Sequence, residues 1–596
     1  MATQTIEQFF TGKTLIIPAY QRDYAWATTN IDDLFEDIEE TMELGGDHYL
    51  GTFILSQTNK TAPVNVVDGQ QRLTTLTMLL NALVAAVEES VIKDHYRGMY
   101  INHPVQGPKF SVLGANKEFF NELLNGGKPN PVSDGQQRLL DADKWIRSRV
   151  AAIKAAGGQD AIKQWLLSIS HLEVLEFTES NEGKAIRMFQ TVNDRGVPLA
   201  RMDIAKSLLI YYSNRFLDGE LDSMIADKFG EAFRCFSRLK ALAAKPGYQI
   251  RVINRDPFRE DDVLRYHYFA FNGEPHGVQC GADYNANSET VLESFLKPSL
   301  KAMRNDNDKL KRFIEDYVSD LESFFKGLLG LVEATRNNRE LYMLMVVQDL
   351  ASTLYPLVIR LFTLNMLEQK VDGDECMDYT LLGLVELADL RVFKLQGTNP
   401  QADMATLMRD FSHLDKNGIA VRLINFCHRF MPSAKFKSRL AEDEMFRNPG
   451  CVRILLEAEN AARAEAGEAA LAIKDMVEIN KASLTVEHIL PQEPSFGIKL
   501  YKFHSEDAYL EHIHLIGNLL PLERRINSAC SNSSAETKMR DKKLYKDSQF
   551  KLVQNLAAKN ANANPAYSRD AILSRSSDLA KFAVKTWPLT KVDLSA

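Results

Sequence analysis

Val486-Glu487-His488-Ile489-Leu490-Pro491, followed by Gly517-Asn518-Leu519-Leu520 and then by Asn527, is the stretch that decides how the C-terminal part of this 596-residue chain is read. A short apolar run ends in an acid beside a histidine. A Gly-Asn turn comes roughly thirty residues later, and an Asn then falls on a helical stretch. Cleavage of a phosphodiester with one metal ion needs these groups. His488 takes a proton from water, a general-base contribution of about 10²–10⁴-fold. Glu487 and Asn527 hold a divalent cation, Mg²⁺ or Mn²⁺, on the scissile phosphate, where it stabilises charge on the phosphoryl oxygens. Asn518 fixes the His488 ring through its second nitrogen. A lone His-x-x-Pro would read as a strand end running into a loop. The three spaced elements shift that balance toward a nuclease.

A second stretch stands near the other end: Val66-Val67-Asp68-Gly69-Gln70-Gln71-Arg72-Leu73-Thr74-Thr75-Leu76. A β-branched run passes through Asp-Gly directly into a helix. Asp68 is placed to cap that helix. Gly69 lets backbone approach a ligand closely. The exposed N–H groups and the helix dipole suit an anion. Gln70, Gln71 and Arg72 can reach phosphate oxygens, Arg in bidentate fashion. No Gly-x-x-x-x-Gly-Lys-Ser/Thr occurs, so this is not a Walker loop. A helix start with polar capping residues is the alternative. Two further segments tilt the balance: Ile17-Pro18-Ala19-Tyr20-Gln21-Arg22-Asp23-Tyr24-Ala25-Trp26, and Phe189-Gln190-Thr191-Val192-Asn193-Asp194-Arg195-Gly196-Val197-Pro198-Leu199 with Asp203 and Lys206 beyond it. The five letters Asp134-Gly135-Gln136-Gln137-Arg138 repeat the first motif without its β-branched lead or its Thr-Thr-Leu continuation. This copy reads as a chance repeat that caps a plain helix.

The C-terminal pattern resembles the HNH-like (His-Me finger) domain of GmrSD-type modification-dependent restriction enzymes, and this resemblance carries most of the shift toward a nuclease. That pattern runs Glu/Asp-His-Ile-x-Pro, Gly-Asn-Leu, Asn, then Lys and Ser. Here it reads Glu487 to Pro491, Gly517 to Leu519, Asn527, Lys538 and Ser548, with Leu520-Pro521 where the family usually has Thr-Leu. The N-terminal motifs resemble the GmrS-like domain, a relative of the ParB nucleotide-binding fold. That resemblance implies nucleotide binding and hydrolysis at Asp68, Gly69, Gln70, Gln71 and Arg72. Arg22, Asn193, Arg195 and Lys206 are the secondary candidates for phosphate or metal contacts.

Bulk properties set the outer bounds. The net charge of −8 argues against a surface coated in basic residues. From Pro521 to the end there are 14 Lys and Arg against 7 Asp and Glu, a local +7, so the rest carries −15. Basic charge therefore collects beside the nuclease motif, where a phosphate-bearing substrate would lie. The six Cys form no Cys-x-x-Cys pair, which argues against a zinc site and a disulfide framework. The N-terminus lacks a basic-then-apolar signal pattern. Leu341 to Leu367 is broken by Asp349, Pro356 and Arg360 and reads as buried helices, so no membrane span and a cytoplasmic location are expected.

Strands are predicted at Thr14–Pro18, Tyr49–Ser56, Val64–Val67 and Leu172–Phe177. Helices are predicted at Asn30–Leu44 with Asn30 as N-cap, Thr74–Val91, Lys184–Val192, Arg201–Phe216 and Arg453–Ala472, with a loop-rich stretch from Met99 to Asp134. His512 and His514 read as alternating residues on a strand. The expected fold class is α+β and mostly helical: a ParB-like α/β domain over 1–216, a helical scaffold over 217–435, and a ββα-metal HNH-like nuclease over 436–596. The expected function is a nucleotide-regulated, metal-dependent DNA endonuclease, cleaving or nicking modified phage DNA in antiviral defence, with a nucleoside triphosphate as second ligand. A ParB-like DNA-binding or sensing module and an RNA-cutting toxin are the alternatives. Oligomeric state is open, a homo-oligomer included.

Overall fold

In the computed structural model the β-branched run before Asp68 forms a strand, as its composition demands. The structure describes residues 3–18, 21, 23–44, 49–57, 59, 62–112, 114–180, 200–245, 248–255, 257–372, 378–481, 484–494 and 497–595. Strands β1 (Thr3–Thr5), β2 (Leu15–Ile17), β3 (Tyr49–Ser56), β4 (Val64–Asp68), β5 (Phe110–Val112) and β6 (Glu173–Glu179) build a mixed sheet ordered β1-β6-β3-β4-β2-β5. β4 runs antiparallel to β3 and parallel to β2, which is itself parallel to β5. β6 lies parallel to β3 and antiparallel to β1.

Helices α1 (Thr28–Leu44), α2 (Gln70–Ala86) and α3 (Asp134–His171) share a core with this sheet that includes Phe9, Phe35, Phe53, Leu73, Leu76, Ile146 and Trp165. α2 is buried nearly all round, Thr74, Thr75 and Thr77 included. Their hydroxyls donate to the carbonyls of Gln70, Gln71 and Leu73 one turn back, so none of these three is orphaned. α2 starts four residues earlier than the apolar period predicts, at Gln70, because polar Gln70, Gln71 and Arg72 form its first turn. It ends at Ala86 and a separate helix spans Ser90–Tyr100. Asn30 does not cap α1. Its Oδ1 accepts the Ala27 N–H from inside the first turn. The loop-rich stretch after Met99 holds β5 and a helix at Lys117–Leu124, whose apolar face is Phe119, Phe120 and Leu123. The helix predicted over Lys184–Val192 lies outside the described residues. α4 (Arg201–Phe216) keeps its predicted bounds.

The chain is α+β and mostly helical, and it divides into two compact units. One comprises Met1–Ser237 and Ser288–Glu322, the other Arg238–Asn287 and Ser323–Ala596. The span 217–435 thus gives segments to both. In the second unit, Leu341 to Leu367 forms buried helical segments, with Tyr355–Thr363 the longest. Among the described residues no helix is long and apolar enough to cross a membrane. α5 (Cys451–Glu465) stops short of the predicted Ala472, with Gly467 left-handed (φ +72°) just beyond its end. β7 (Thr485–His488) then pairs antiparallel with β8 (Leu519–Leu522), with α6 (Glu506–Ile513) between them in sequence. α7 (Arg524–Cys530), α8 (Ala535–Arg540) and α9 (Arg569–Thr586) follow.

Candidate functional site

β4 hands over to α2 at Gly69. Its φ is +91°, and a Cβ there would lie 2.3 Å from the Phe53 ring, so only glycine fits. The expectation that Asp68 caps α2 is corrected: Gly69 is the N-cap residue, and Asp68 Oδ1 accepts the Gly69 N–H at 2.7 Å. Asp68 stands one residue too early to serve the amides deeper in the first turn. No side chain caps α2, so its first amides point out without one. Gln71 is turned inward. Its Oε1 accepts the Ala25 N–H at 2.7 Å and its Nε2 donates to the Asp23 carbonyl at 3.2 Å. Gln21 Nε2 donates to the Val67 carbonyl at 2.9 Å. The segment around Asp23 is thereby tied to the β4–α2 junction.

Gln70 is buried, and among the described residues its Oε1 has no hydrogen-bond partner. A buried acceptor of this kind is satisfied only by a ligand that donates a hydrogen bond. Arg72 lies along β3: Nη1 is 3.4 Å from the Thr52 carbonyl, and the guanidinium is 5.7 Å from the Phe53 ring centroid. It makes no ion pair with a described residue. Lys206 on α4 is 4% exposed, and burial lowers its pKa to about 8 against the opposing pull of Asp203, Asp23 and Asp227. Asp68–Arg72 therefore adjoin the Asp23 segment, and Asp23 is also among the acids that act on Lys206. Arg22, Asn193 and Arg195 lie outside the described residues.

The second Asp-Gly-Gln-Gln-Arg copy has a place in this cluster that the sequence did not reveal. Its helix is capped by Ser133, whose hydroxyl accepts the Gln136 N–H. Gln136 Nε2 donates to Asn116 Oδ1 at 3.2 Å, and Asn116 Nδ2 donates to Asp23 Oδ1 at 2.8 Å. Arg138 Nη1 donates to the Ala25 carbonyl at 3.2 Å. A Cβ on Gly135 would lie 2.5 Å from Asp23 Cβ. Both copies contact residues 23–25. The identity of the five letters was the only signal of this in the sequence.

In the second unit the pleat of β7 sends Thr485 and Glu487 to one face and Val486 and His488 to the other. Glu487 is buried, and its Oε1 meets Lys538 Nζ at 2.7 Å and the Tyr545 hydroxyl at 3.0 Å. Burial pushes the Glu487 carboxyl above the ordinary carboxylate value, with Lys538 and Tyr545 pulling the other way. Lys538 Nζ also donates to the His488 carbonyl at 2.6 Å. Asn527 on α7 donates through Nδ2 to Thr485 Oγ1 at 2.6 Å, and that hydroxyl gives its own proton to the Leu522 carbonyl. The carboxamide nitrogen of Asn527 is thereby fixed on Thr485, leaving its oxygen for another partner. Glu487 and Asn527 supply oxygen donors of the kind a Mg²⁺-like ion takes, with the Lys538 ammonium standing against Glu487 Oε1. Ser548 Oγ donates to Glu523 Oε2 at 2.9 Å.

His488 is buried at the end of β7, under the Phe446 ring at 4.3 Å between centroids. Burial, with His514 and Lys538 adding to it, lowers its pKa to about 3, so the imidazole is neutral at neutral pH. Asn518 is fully buried between the strands. Its Oδ1 accepts the Leu490 N–H at 2.8 Å, and its Nδ2 donates to the Leu490 carbonyl at 2.9 Å and the Ile513 carbonyl at 2.8 Å. Gly517 sits so close to α9 that a Cβ would meet the Ile572 carbonyl oxygen at 2.0 Å.

Residues 6–210 match the model of the GmrSD restriction endonuclease N-terminal domain, and residues 434–582 match that of the C-terminal domain of GmrSD restriction endonucleases. The chain belongs to this family. No curated protein matches it. As a GmrSD member it is an endonuclease that acts on DNA. The N-terminal GmrSD match contains Asp68–Arg72 and Lys206, and the C-terminal match contains Glu487, His488, Asn518, Asn527 and Lys538.

Two sequence expectations about the GmrSD nuclease segment change. Asn518 does not bond the His488 ring. Its side chain is spent on the backbone of Leu490 and Ile513, so it holds the two chain segments rather than the imidazole. His512 and His514 are not on a strand. His512 lies in α6 and His514 is its C-cap residue, because Ser505 caps a helix there and Glu506 and Asp507 occupy its first turn.

Proposed function

We propose that this chain is a nucleotide-regulated DNA endonuclease of the one-metal ββα type, with hydrolysis of a nucleoside triphosphate at Asp68–Arg72 governing phosphodiester cleavage at His488. The observation that carries the nuclease half is the antiparallel β7–β8 pair followed by α7, with neutral His488 at the strand end. Glu487 and Asn527 are the residues to hold a divalent cation, Mg²⁺ or Mn²⁺. Bound there, it would supply charge stabilisation at the phosphoryl oxygens. His488 removes the proton of the attacking water. The new oxygen–phosphorus bond forms as the bond to the leaving sugar oxygen breaks, and that oxygen takes a proton from solvent. Asn518 keeps the loop behind His488 in register.

The nucleotide half rests on the uncapped start of α2 and on Arg72, which makes no ion pair with a described residue. Helix-terminal amides and a guanidinium bind phosphate oxygens. For turnover there to regulate cutting, both sites must bias one conformational equilibrium. Foreign phage DNA with modified bases is the proposed target. The test incubates the full chain with Mg²⁺ or Mn²⁺ and two DNAs, unmodified and modified, with and without ATP, GTP, CTP and UTP, against His488→Ala. Cutting that needs modification and nucleotide and vanishes in the variant supports the reading. Nucleotide hydrolysis without cutting of either DNA sinks its nuclease half.

A further inference from the structure

His488 has two ring nitrogens, and both have partners. Nε2 lies 3.1 Å from His514 Nδ1, and Nδ1 lies 3.3 Å from Gln492 Nε2. The carboxamide nitrogen of Gln492 can only donate, so His488 Nδ1 is the accepting nitrogen. A neutral imidazole then carries its proton on Nε2, and that proton is given to His514 Nδ1. The two sides of the ring differ in access. Gln492 is exposed, whereas His514 is half-buried with the half-buried Phe446 ring stacked on it at 5.4 Å and 18°. The lone pair of Nδ1 therefore faces the more exposed of the two sides, toward Gln492.

The backbone around the two histidines is tied together. Asn518 bonds Leu490, two residues after His488, and Ile513, one residue before His514. The His514 carbonyl accepts the Met445 N–H at 2.8 Å, and Glu444 bridges to Leu515. One buried carboxamide thus sets the separation of the two rings, while a third segment of chain fixes His514 from the other side.

We propose that His514 is the positioning residue of the His488 base: its Nδ1 accepts the Nε2 proton of His488, which selects the tautomer whose Nδ1 lone pair faces the attacking water. When His488 takes the water's proton it becomes an imidazolium, and the Nε2–H···Nδ1 bond becomes charge-assisted, so the contact strengthens as the reaction proceeds. Gln492 holds the place on Nδ1 that the water takes. The inference rests on the nuclease reading for its consequence and on the hydrogen-bond geometry alone for its content.

Two substitutions in the full chain separate this role from packing. His514→Phe keeps a ring against Phe446 but has no acceptor, while His514→Asn keeps an acceptor near Nδ1 but has no ring. Nicking of a plasmid is measured with Mn²⁺, with kcat and KM separated and circular dichroism as a check on folding. His514→Phe is expected to lose kcat by on the order of 10²–10⁴-fold with KM little changed, and His514→Asn to stay within about tenfold of the wild type. The reverse order, Phe active and Asn inactive, overturns the proposal in favour of packing. ¹⁵N NMR of labelled imidazoles, without DNA, reads the tautomer independently of cutting, with His488→Ala identifying the signal. The expected result is a His488 protonated on Nε2 in the wild type and a mixture in His514→Phe. Wild-type His488 protonated on Nδ1 overturns the proposal whether or not the chain cuts DNA. A wild type that cuts nothing yet shows the Nε2 tautomer removes the nuclease reading and leaves the positioning contact standing.

Discussion

A single buried imidazole sets the first expectation. His488 titrates near 3 in the folded chain because it is desolvated and faces His514 and Lys538, against an ordinary value of 6.5. A base with that value is fully unprotonated across the working range. The pH profile of kcat/KM for DNA cutting should therefore stay flat, within about threefold, from pH 6 to 8. A fall governed by a free-enzyme group near 6.5 would show that the ring is solvated rather than buried. Lys206 makes the opposite kind of statement. Its ammonium is buried, and its pKa drops from 10.5 to about 8. The unfolded chain then binds a proton more tightly than the folded one. The cost to stability is complete below pH 8 and disappears as pH rises from 8 to 10.5. A drop of that size corresponds to about 3 kcal/mol. Lys206→Met should therefore stabilise the chain at pH 7 by up to about that amount and by much less at pH 10, while lowering nucleotide hydrolysis. Urea unfolding at the two pH values checks it, and an equal gain at both would remove desolvation of the ammonium as the reason.

At the level of elements, the Gly-Asn pair shows why two adjacent letters recur together. Gly517 is needed by α9, not by a turn: its N–H donates to Ser576 Oγ, and Tyr567 and Arg575 bond its carbonyl. Gly517→Ala drives a methyl into the Ile572 carbonyl, an overpacking that costs about 1–3 kcal/mol or more and should lower the melting temperature by several degrees. Asn518→Asp keeps the shape but sets a carboxylate against the carbonyls of Leu490 and Ile513. It should lose cutting more completely than Asn518→Ala, read by nicking rate and by melting temperature. A rate in Asn518→Asp equal to the wild type would refute the clamp. What the sequence disclosed follows the same line. Period and propensity located β3, β4, α2 and α4, because spacing along one element is written in the chain. Long-range pairings are not. The Gln492–His488–His514 chain joins a loop, a strand end and a helix end, the Glu487–Lys538 pair crosses some fifty residues, and the grip of Gln136 on Asp23 passes through Asn116. His514 was misplaced because a His-x-His alternation imitates a strand when a short capped helix ends there.

On the scale of the whole molecule, charge is distributed unevenly and should govern how DNA is held. The chain carries −8 overall, yet its last segment from Pro521 carries 14 basic against 7 acidic residues. Arg524, Arg525, Lys542 and Lys543 are exposed there. Only Arg525 among them has an ion pair with a described residue, to Asp547 at 2.6 Å. An exposed cation without a partner can release a counterion on meeting a phosphate, whereas one already paired gains less. Lys542→Ala combined with Lys543→Ala should weaken binding of modified and unmodified duplexes by the same factor, since phosphate contacts carry no sequence information. It should also reduce the slope of log K against log salt by about 2, one for each phosphate that no longer meets a lysine. Arg525→Ala should reduce the slope by less than about 1, because Asp547 is freed at the same time. Fluorescence anisotropy with a labelled duplex over about 50–200 mM salt measures both slopes. An unchanged slope in the double variant would place the DNA elsewhere on the chain, and the acidic remainder makes any such alternative surface correspondingly narrow.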